Sequence, residues 1–159
     1  MTAQRIITTL WFDGQAEQAA ELYCSIFDDA RIVSVVPYPD GTDKAGEAMT
    51  VEFELLGQRY LGLNGGPQFP FTEAISLQVL CRDQAEIDRY WDALTDGGEE
   101  GACGWLKDRF GLSWQIIPEQ VSRFFTGDRE ASARAAQAMY GMRKLDIAAL
   151  EAARAAIPA

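Results

Sequence analysis

A run of three charged residues, Lys107, Asp108 and Arg109, lies inside the stretch CGWLKDRFGLSWQIIP, between two tryptophans. Lys107 and Arg109 could bind an anionic ligand or polarise a carbonyl group, and Trp105 could stack on a flat ligand. A charge run is more often a solvated strand edge or a salt-bridged turn, and a tryptophan is as often packed in the core. The stretch therefore supplies candidate ligand-binding residues without defining a reaction.

The chain contains no histidine, which excludes Ser-His-Asp and Cys-His nucleophilic catalysis and removes the usual ligand of zinc, nickel and iron. Its three cysteines, Cys24, Cys81 and Cys103, are widely spaced and form no Cys-x-x-Cys motif. This spacing favours neither a disulfide framework nor a zinc knuckle. We therefore expect no intrinsic metal and no other cofactor, and we interpret Cys103 as an inert buried thiol.

The sequence around Gly111 predicts two strands joined by a tight turn, and the residues after the turn form two alternating sets. The first set comprises Leu112, Trp114 and Ile116, and the second comprises Ser113, Gln115 and Ile117. Since the first set is larger and more apolar, we predict that it faces the helices. The second set should then line a ligand cleft, in which Ser113 and Gln115 are candidate binding residues.

A second pair of candidates, Asn64 and Gln68, flanks the sequence Gly65-Gly66-Pro67. Glycines at such a position are typical of a turn, because they adopt positive φ without steric cost. The functional alternative is that both amides lean into the cleft and bind a polar ligand. We expect Asn64 and Gln68 at the rim of the cleft that carries Gln115.

The elements that would hold these residues occur twice in the same order, a strand, a helix and three further strands. The sequence predicts strands at 6–12 and 74–81, each followed by an amphipathic helix, with Asp83 as the N-cap of the second helix. Gln15-Ala16-Glu17 matches Gln84-Ala85-Glu86 in the two helices, which indicates an internal duplication. We predict an α+β fold in one domain: module one at 1–67, module two at 68–118 and a helical extension at 119–159.

Composition narrows the choice of partners. The chain has 24 acidic and 14 basic residues, and a net charge of −10 repels nucleic acid and anionic membrane surfaces. No apolar run approaches the roughly 20 residues of a membrane span, and the first residues lack the features of a signal peptide. We therefore expect a cytoplasmic protein that binds neither nucleic acid nor membrane.

Several segments carry a family resemblance, among them WFDGQAEQAAELY, NGGP and RYWDALTDGGEEGACGWLKDRFGLSWQIIP. They resemble the PhnB-like family of the vicinal oxygen chelate, or glyoxalase-like, superfamily, whose members are often labelled 3-demethylubiquinone-9 3-methyltransferase. The resemblance implies two βαβββ modules, each curled around a cleft, and a homodimer. In metal-using branches the ligands are His and Glu, and the equivalent positions here are Thr8, residues 62–64, Ser76 and Gln115.

The resemblance and the residues together predict a metal-independent protein that binds or sequesters an unknown small molecule. The alternative is an enzyme of unknown reaction, with Asp, Glu, Lys, Tyr or Cys as its acid–base group. The methyltransferase label has no support in the residues, because NGGPQF precedes a strand rather than a helix. The amphipathic sequence LDIAALEAARAA has an apolar face that requires cover, so we expect the C-terminal segment to help hold the homodimer together.

Overall fold

The structure is a computed structural model that describes residues 4–156, so the outer limits predicted at residues 1 and 159 lie outside the described residues. The chain forms two compact units, divided between Phe71 and Thr72. The first unit contains β1 (Thr8–Phe12), α1 (Ala16–Ile26), β2 (Ala30–Pro37), β3 (Ala48–Leu55) and β4 (Gln58–Asn64). Its strands are ordered β1-β4-β3-β2, with β1 parallel to β4 and the other neighbours antiparallel.

The second unit repeats this arrangement. It contains β5 (Ser76–Cys81), α2 (Gln84–Thr95), β6 (Glu99–Glu100), β7 (Trp105–Lys107) and β8 (Ser113–Pro118). Their order is β5-β8-β7-β6, with β5 parallel to β8. A short 3-10 helix (Val121–Phe124), α3 (Arg129–Tyr140) and α4 (Ile147–Ala155) follow. The identical strand order confirms the predicted α+β fold of two βαβββ modules.

Helix α1 packs closely on its sheet because its buried face consists mainly of alanines. Ala16 is fully buried, and a Cβ atom built on Gly62 of β4 would lie only 3.0 Å from the Ala16 side chain. Within β1, Leu10 and Phe12 are buried, whereas Thr9 is exposed. The alternation of Leu10 and Phe12 with Trp11 in the sequence predicts a strand buried on both faces, and this prediction is wrong, since only the face toward α1 is deeply covered.

Helix α2 begins at its predicted N-cap, where the Asp83 side chain accepts a hydrogen bond of 2.9 Å from the Glu86 N–H. Its buried side chains are Ile87, Tyr90, Trp91 and Leu94. The sheet contributes buried side chains from alternate positions of its strands to this same core. They are Val79, Leu106, Trp114 and Ile116. The apolar set of β8 therefore faces the helix, as its alternation predicts.

The C-terminal segment differs from its prediction in two respects. The helical extension predicted from residue 119 begins with a 3-10 helix at Val121 rather than an α-helix, and α3 and α4 begin after the N-caps Asp128 and Asp146. Leu150 on α4 is fully buried in a cluster with Phe124 and Ala135. The apolar face of α4 thus has its cover within its own unit and gives no reason to expect a role in dimerisation. Within residues 4–156, no helix has the length and apolarity needed to cross a bilayer.

Candidate functional site

Four of the seven candidate residues lie together on the open face of the second sheet, the face turned away from α2. The strand register places Trp105 opposite Gln115 and Lys107 opposite Ser113. Paired residues point to the same side of a sheet, and Trp114 and Ile116 occupy the other side. The structure therefore brings Trp105, Lys107, Ser113 and Gln115 onto one surface.

Neutral groups occupy the centre of this open face. The Gln115 Nε2 donates a hydrogen bond of 2.8 Å to the Ser76 Oγ, and its Oε1 lies 3.4 Å from the Gln78 Nε2. Ser76 and Gln115 are two of the positions that resemble metal ligands, yet they supply no charge and are bonded to each other. Within the described part of the chain, no three His, Cys, Asp or Glu side chains are placed so that they could hold a metal ion. These residues do not fit a dication.

In the first unit, the residue of β1 that points to the open face is Thr9, one position after Thr8. Thr8 shares its strand face with the buried Leu10 and Phe12, so the adjacent Thr9 and Trp11 point to the open side. Thr8, which the resemblance gives as equivalent to a metal-ligand position, therefore does not point to the open side. The single-strand pattern did not reveal which of the two alternating sets would meet α1.

A pocket of about 170 Å³ opens beside β7, lined by Glu73, Glu99, Glu100, Gly101, Trp105, Leu106, Lys107 and Ser113. Ser113 is completely buried, and its hydroxyl has no hydrogen-bond partner within the described residues. Leaving a buried hydroxyl unpaired costs about 1–3 kcal/mol. A polar group that reaches this hydroxyl from the pocket would recover part of that cost.

The single lysine of the pocket is already paired. The Lys107 Nζ lies 2.5 Å from the Glu73 Oε1, and this hydrogen bond lowers the pKa of Glu73 and raises the pKa of Lys107. Glu100 accepts a hydrogen bond of 3.0 Å from the Trp91 Nε1, which together with a bond from Arg143 lowers the pKa of Glu100. Lys107 therefore presents no isolated positive charge to a ligand.

Arg109 lies outside the pocket lining. Its guanidinium donates to the backbone oxygen of Asp96 at 2.8 Å and pairs with the carboxylate of the same residue at the end of α2. A salt-bridged turn was the alternative interpretation of the charge run, and Arg109 adopts that arrangement. Its proposed role in ligand binding is not supported by proximity to the pocket.

Asp108 is the residue of this stretch that sequence reasoning missed. It is 3% exposed, and its Oδ1 accepts hydrogen bonds from the backbone N–H groups of Phe110 at 2.9 Å and Leu112 at 3.1 Å. Its Oδ2 accepts a bond of 2.9 Å from the Trp114 Nε1. The spacing Asp-x-x-Gly at 108–111, typical of a turn that begins with an aspartate, was the available signal. Asp108 fixes the turn that positions β8.

The remaining candidates, Asn64 and Gln68, belong to the first unit. Asn64 is buried, its Oδ1 accepts a hydrogen bond of 2.9 Å from the Ala16 N–H, and its Nδ2 donates to the Ala48 carbonyl at 2.8 Å. Gln15, at the N-cap position of α1, makes no side-chain capping bond, so Asn64 supplies the cap from β4. Gln68 is exposed after the turn in which Gly66 has φ +103°.

The cysteines are free thiols in the structure. Burial, together with the charges of Glu86 and Asp83, raises the pKa of Cys81 to about 12. Cys103 is half-buried, and its Sγ lies 3.5 Å from the Met139 carbonyl. Neither thiol lines the pocket beside β7.

Comparisons with known proteins agree with this architecture. A family model described as 3-demethylubiquinone-9 3-methyltransferase matches residues 4–117. The PhnB protein of Bacillus cereus, which carries the same methyltransferase label, is 34% identical over 72% of this chain and 99% of its own, with a TM-score of 0.67. A Pseudomonas aeruginosa protein is 20% identical over 74% of this chain and 98% of its own, with a TM-score of 0.63, a likeness of fold alone.

A fosfomycin resistance protein, FosX, from Listeria monocytogenes is more distant. It is 15% identical over 77% of this chain and 99% of its own, with a TM-score of 0.47. None of the curated proteins compared with the chain matches it. The assignment of the chain to a family therefore rests on the matching family model and on the Bacillus cereus structure.

Proposed function

Because the chain belongs to the PhnB-like family, labelled 3-demethylubiquinone-9 3-methyltransferase, of the vicinal oxygen chelate superfamily, we propose that it binds a small molecule without a metal. The binding site is the open face of the second sheet with the pocket beside β7. The observation that carries this proposal is the fully buried Ser113 hydroxyl, which lines the pocket and has no partner within the described residues. Such a hydroxyl is best explained by a ligand or a water molecule that forms its missing hydrogen bond.

Binding or sequestration fits these residues better than methyl transfer. Doubly wound folds hold nucleotide-like cofactors at a glycine-rich turn between a strand and its helix. Here Gly65 and Gly66 follow β4 and lead toward β5, so they lie between two strands. The methyltransferase label of the family therefore finds no matching turn at this glycine pair.

The second candidate function is an enzyme of unknown reaction. It is favoured by the titratable residues Glu73, Glu99 and Lys107, which line the same pocket and could move a proton. Chemical analysis of the ligand after incubation separates the two functions. A binding protein returns the ligand unchanged, whereas an enzyme converts it.

The Gln115→Leu substitution is expected to weaken ligand binding while leaving the fold nearly intact. Gln115 is half-buried, so loss of its bonds to Ser76 and Gln78 should lower the unfolding free energy by about 1 kcal/mol. The ligand is identified by mass spectrometry of small molecules released from the native protein. Its affinity is then measured by calorimetry for wild type and variant, with and without a metal chelator.

The matched control for this measurement is Gln137→Leu on the exposed side of α3, which should bind as wild type does. Wild-type affinity in Gln115→Leu would refute the role of this face. Loss of binding on adding the chelator would refute the metal-independent mechanism.

We also propose that the protein is a homodimer and that β2 forms the contact. This strand is one of the two edges of the first sheet, and Val33, Val35 and Val36 are 43%, 41% and 46% exposed. A long apolar edge strand can extend its sheet by pairing with a second copy, since its unpaired backbone groups need partners. Lysine on an edge strand blocks such pairing.

Light scattering at micromolar concentration should therefore show a dimer for the wild type and a monomer for Val36→Lys. Thr42→Lys, in the loop after β2, adds the same charge and should remain dimeric. A monomeric wild type would contradict the dimer, and a dimeric Val36→Lys would contradict the role of β2.

We further infer a cytoplasmic location and a small-molecule partner rather than nucleic acid or membrane. The free thiols of Cys24, Cys81 and Cys103 are typical of a reducing compartment. The net charge of −10 disfavours association with phosphate-rich surfaces.

A further inference from the structure

The pocket beside β7 carries more negative than positive charge. Three glutamates, Glu73, Glu99 and Glu100, line it together with one lysine. Lys107 is neutralised by Glu73, and Glu100 is paired with Arg143, which lies outside the lining. Glu99 makes no hydrogen bond or ion pair with the residues that the structure describes, and the cation it attracts, Lys107, is already paired with Glu73, so the lining keeps an excess of negative charge.

Strand register directs this charge toward the pocket. Glu99 of β6 pairs with Lys107 of β7, and Lys107 pairs with Ser113 of β8. Paired residues share one side of a sheet, so Glu99, Lys107 and Ser113 form one row across the open face. A ligand in the pocket would therefore lie near both the Glu99 carboxylate and the Ser113 hydroxyl.

The other wall of the pocket is aromatic. Trp105 is half-buried beside Lys107 and lies on the same side of β7. Tryptophan is the aromatic residue that attracts cations most strongly through its ring face. A volume of about 170 Å³ is close to that of cavities which hold a benzene ring, so the pocket suits one ring with a small head group.

From these residues we propose that the pocket binds a small organic cation, an amine whose charged N–H group meets Glu99, Trp105 and Ser113. The proposal rests on the function proposed above, since it names the ligand class of that same site. The buried Ser113 hydroxyl can accept a hydrogen bond from the ammonium group, and the carboxylate of Glu99 balances its charge. An anionic ligand would instead meet an excess of negative charge in this pocket.

Three probes of matched shape test the charge preference: benzylamine, benzyl alcohol and benzoate. At neutral pH they are cationic, neutral and anionic. Binding is followed by NMR through the indole N–H signals, and the Trp105 signal is identified by its loss in Trp105→Phe. We expect benzylamine to shift the Trp105 signal with the highest affinity, and benzoate to bind weakest.

Glu99→Gln removes the charge with little change of shape and should weaken benzylamine binding by about threefold to tenfold. Benzyl alcohol binding should be unchanged. Glu119→Gln makes the same change of net charge at an exposed residue outside the pocket lining and should leave all three affinities unaltered.

The two proposals fail in different ways. If none of the probes shifts the Trp105 signal, the pocket is not a binding site and the proposed function fails with the cation preference. If benzyl alcohol or benzoate binds as tightly as benzylamine, or if Glu99→Gln binds benzylamine as wild type does, the pocket stands and the cation preference is wrong.

Discussion

Asp108→Ala is expected to lower the unfolding free energy of the second unit by about 3–5 kcal/mol. The substitution leaves three donors without their acceptor: the backbone N–H groups of Phe110 and Leu112, and the Trp114 indole. A hydrogen bond to a charged group contributes about 1.5–3 kcal/mol, and bonds to one carboxylate are not additive. Urea unfolding followed by tryptophan fluorescence measures the loss, because Trp91, Trp105 and Trp114 lie in this unit.

Two further variants separate a buried carboxylate from an ordinary surface charge. Asp108→Asn keeps one acceptor oxygen and should lose less stability than Asp108→Ala. Asp96→Ala removes an exposed carboxylate that is paired with Arg109, and should cost less than about 1 kcal/mol. If the unfolding free energy of Asp108→Ala lies within about 1 kcal/mol of the wild-type value, the carboxylate does not organise this turn.

Trp114→Ala should also cost about 3–5 kcal/mol, for a different reason. Trp114 is 2% exposed, so its removal leaves a cavity between β8 and α2 that the surrounding side chains fill only in part. Ligand affinity per folded molecule should change little, because the indole points away from the open face. Urea unfolding and NMR binding of benzylamine together report both effects.

Trp105→Ala is the matched control on the opposite side of the hairpin. Trp105 is only partly buried, so we expect a smaller loss of about 1–2 kcal/mol. Binding of benzylamine, measured by calorimetry because this variant lacks the Trp105 NMR signal, should be lost, since the aromatic wall of the pocket is gone. If Trp105→Ala instead unfolds the unit while Trp114→Ala lowers its stability only slightly, the two faces of the β7–β8 hairpin have been assigned the wrong way round.

The order of elements could be predicted from the sequence because it depends on local patterns. Period-2 alternation identified the strands, and the Asp83 cap marked the start of a helix. The duplication followed from the repeat of these patterns. Alternation within β8 also separated Trp114 from Gln115, because neighbouring strand residues point to opposite sides.

The roles of Asp108 and Asn64 could not be predicted in the same way. Asn64 caps a helix that begins at Ala16, and no local pattern connects residues so far apart in the chain. Asp108 stands between two basic residues, so composition favoured a surface position. Its Asp-x-x-Gly spacing indicates a turn, but only the closed turn shows the three donors that the carboxylate accepts from. The exposure of β2 was equally hidden, since its valines are typical of a buried strand.

The parallel pairing at one edge of each sheet also has a kinetic consequence. The hairpin of β3 and β4 forms between residues close in the chain, whereas β1 can pair with β4 only when Thr8 reaches Tyr60. Closing a long loop is slow, so we expect β1 to dock last and the edge of β4 to stay open until then. During synthesis, the first unit must wait for residues near Asn64 to leave the ribosome before its first strand finds a place. The second unit closes a shorter loop, from Ser76 to Ser113, and should complete its sheet sooner once its own last strand is made.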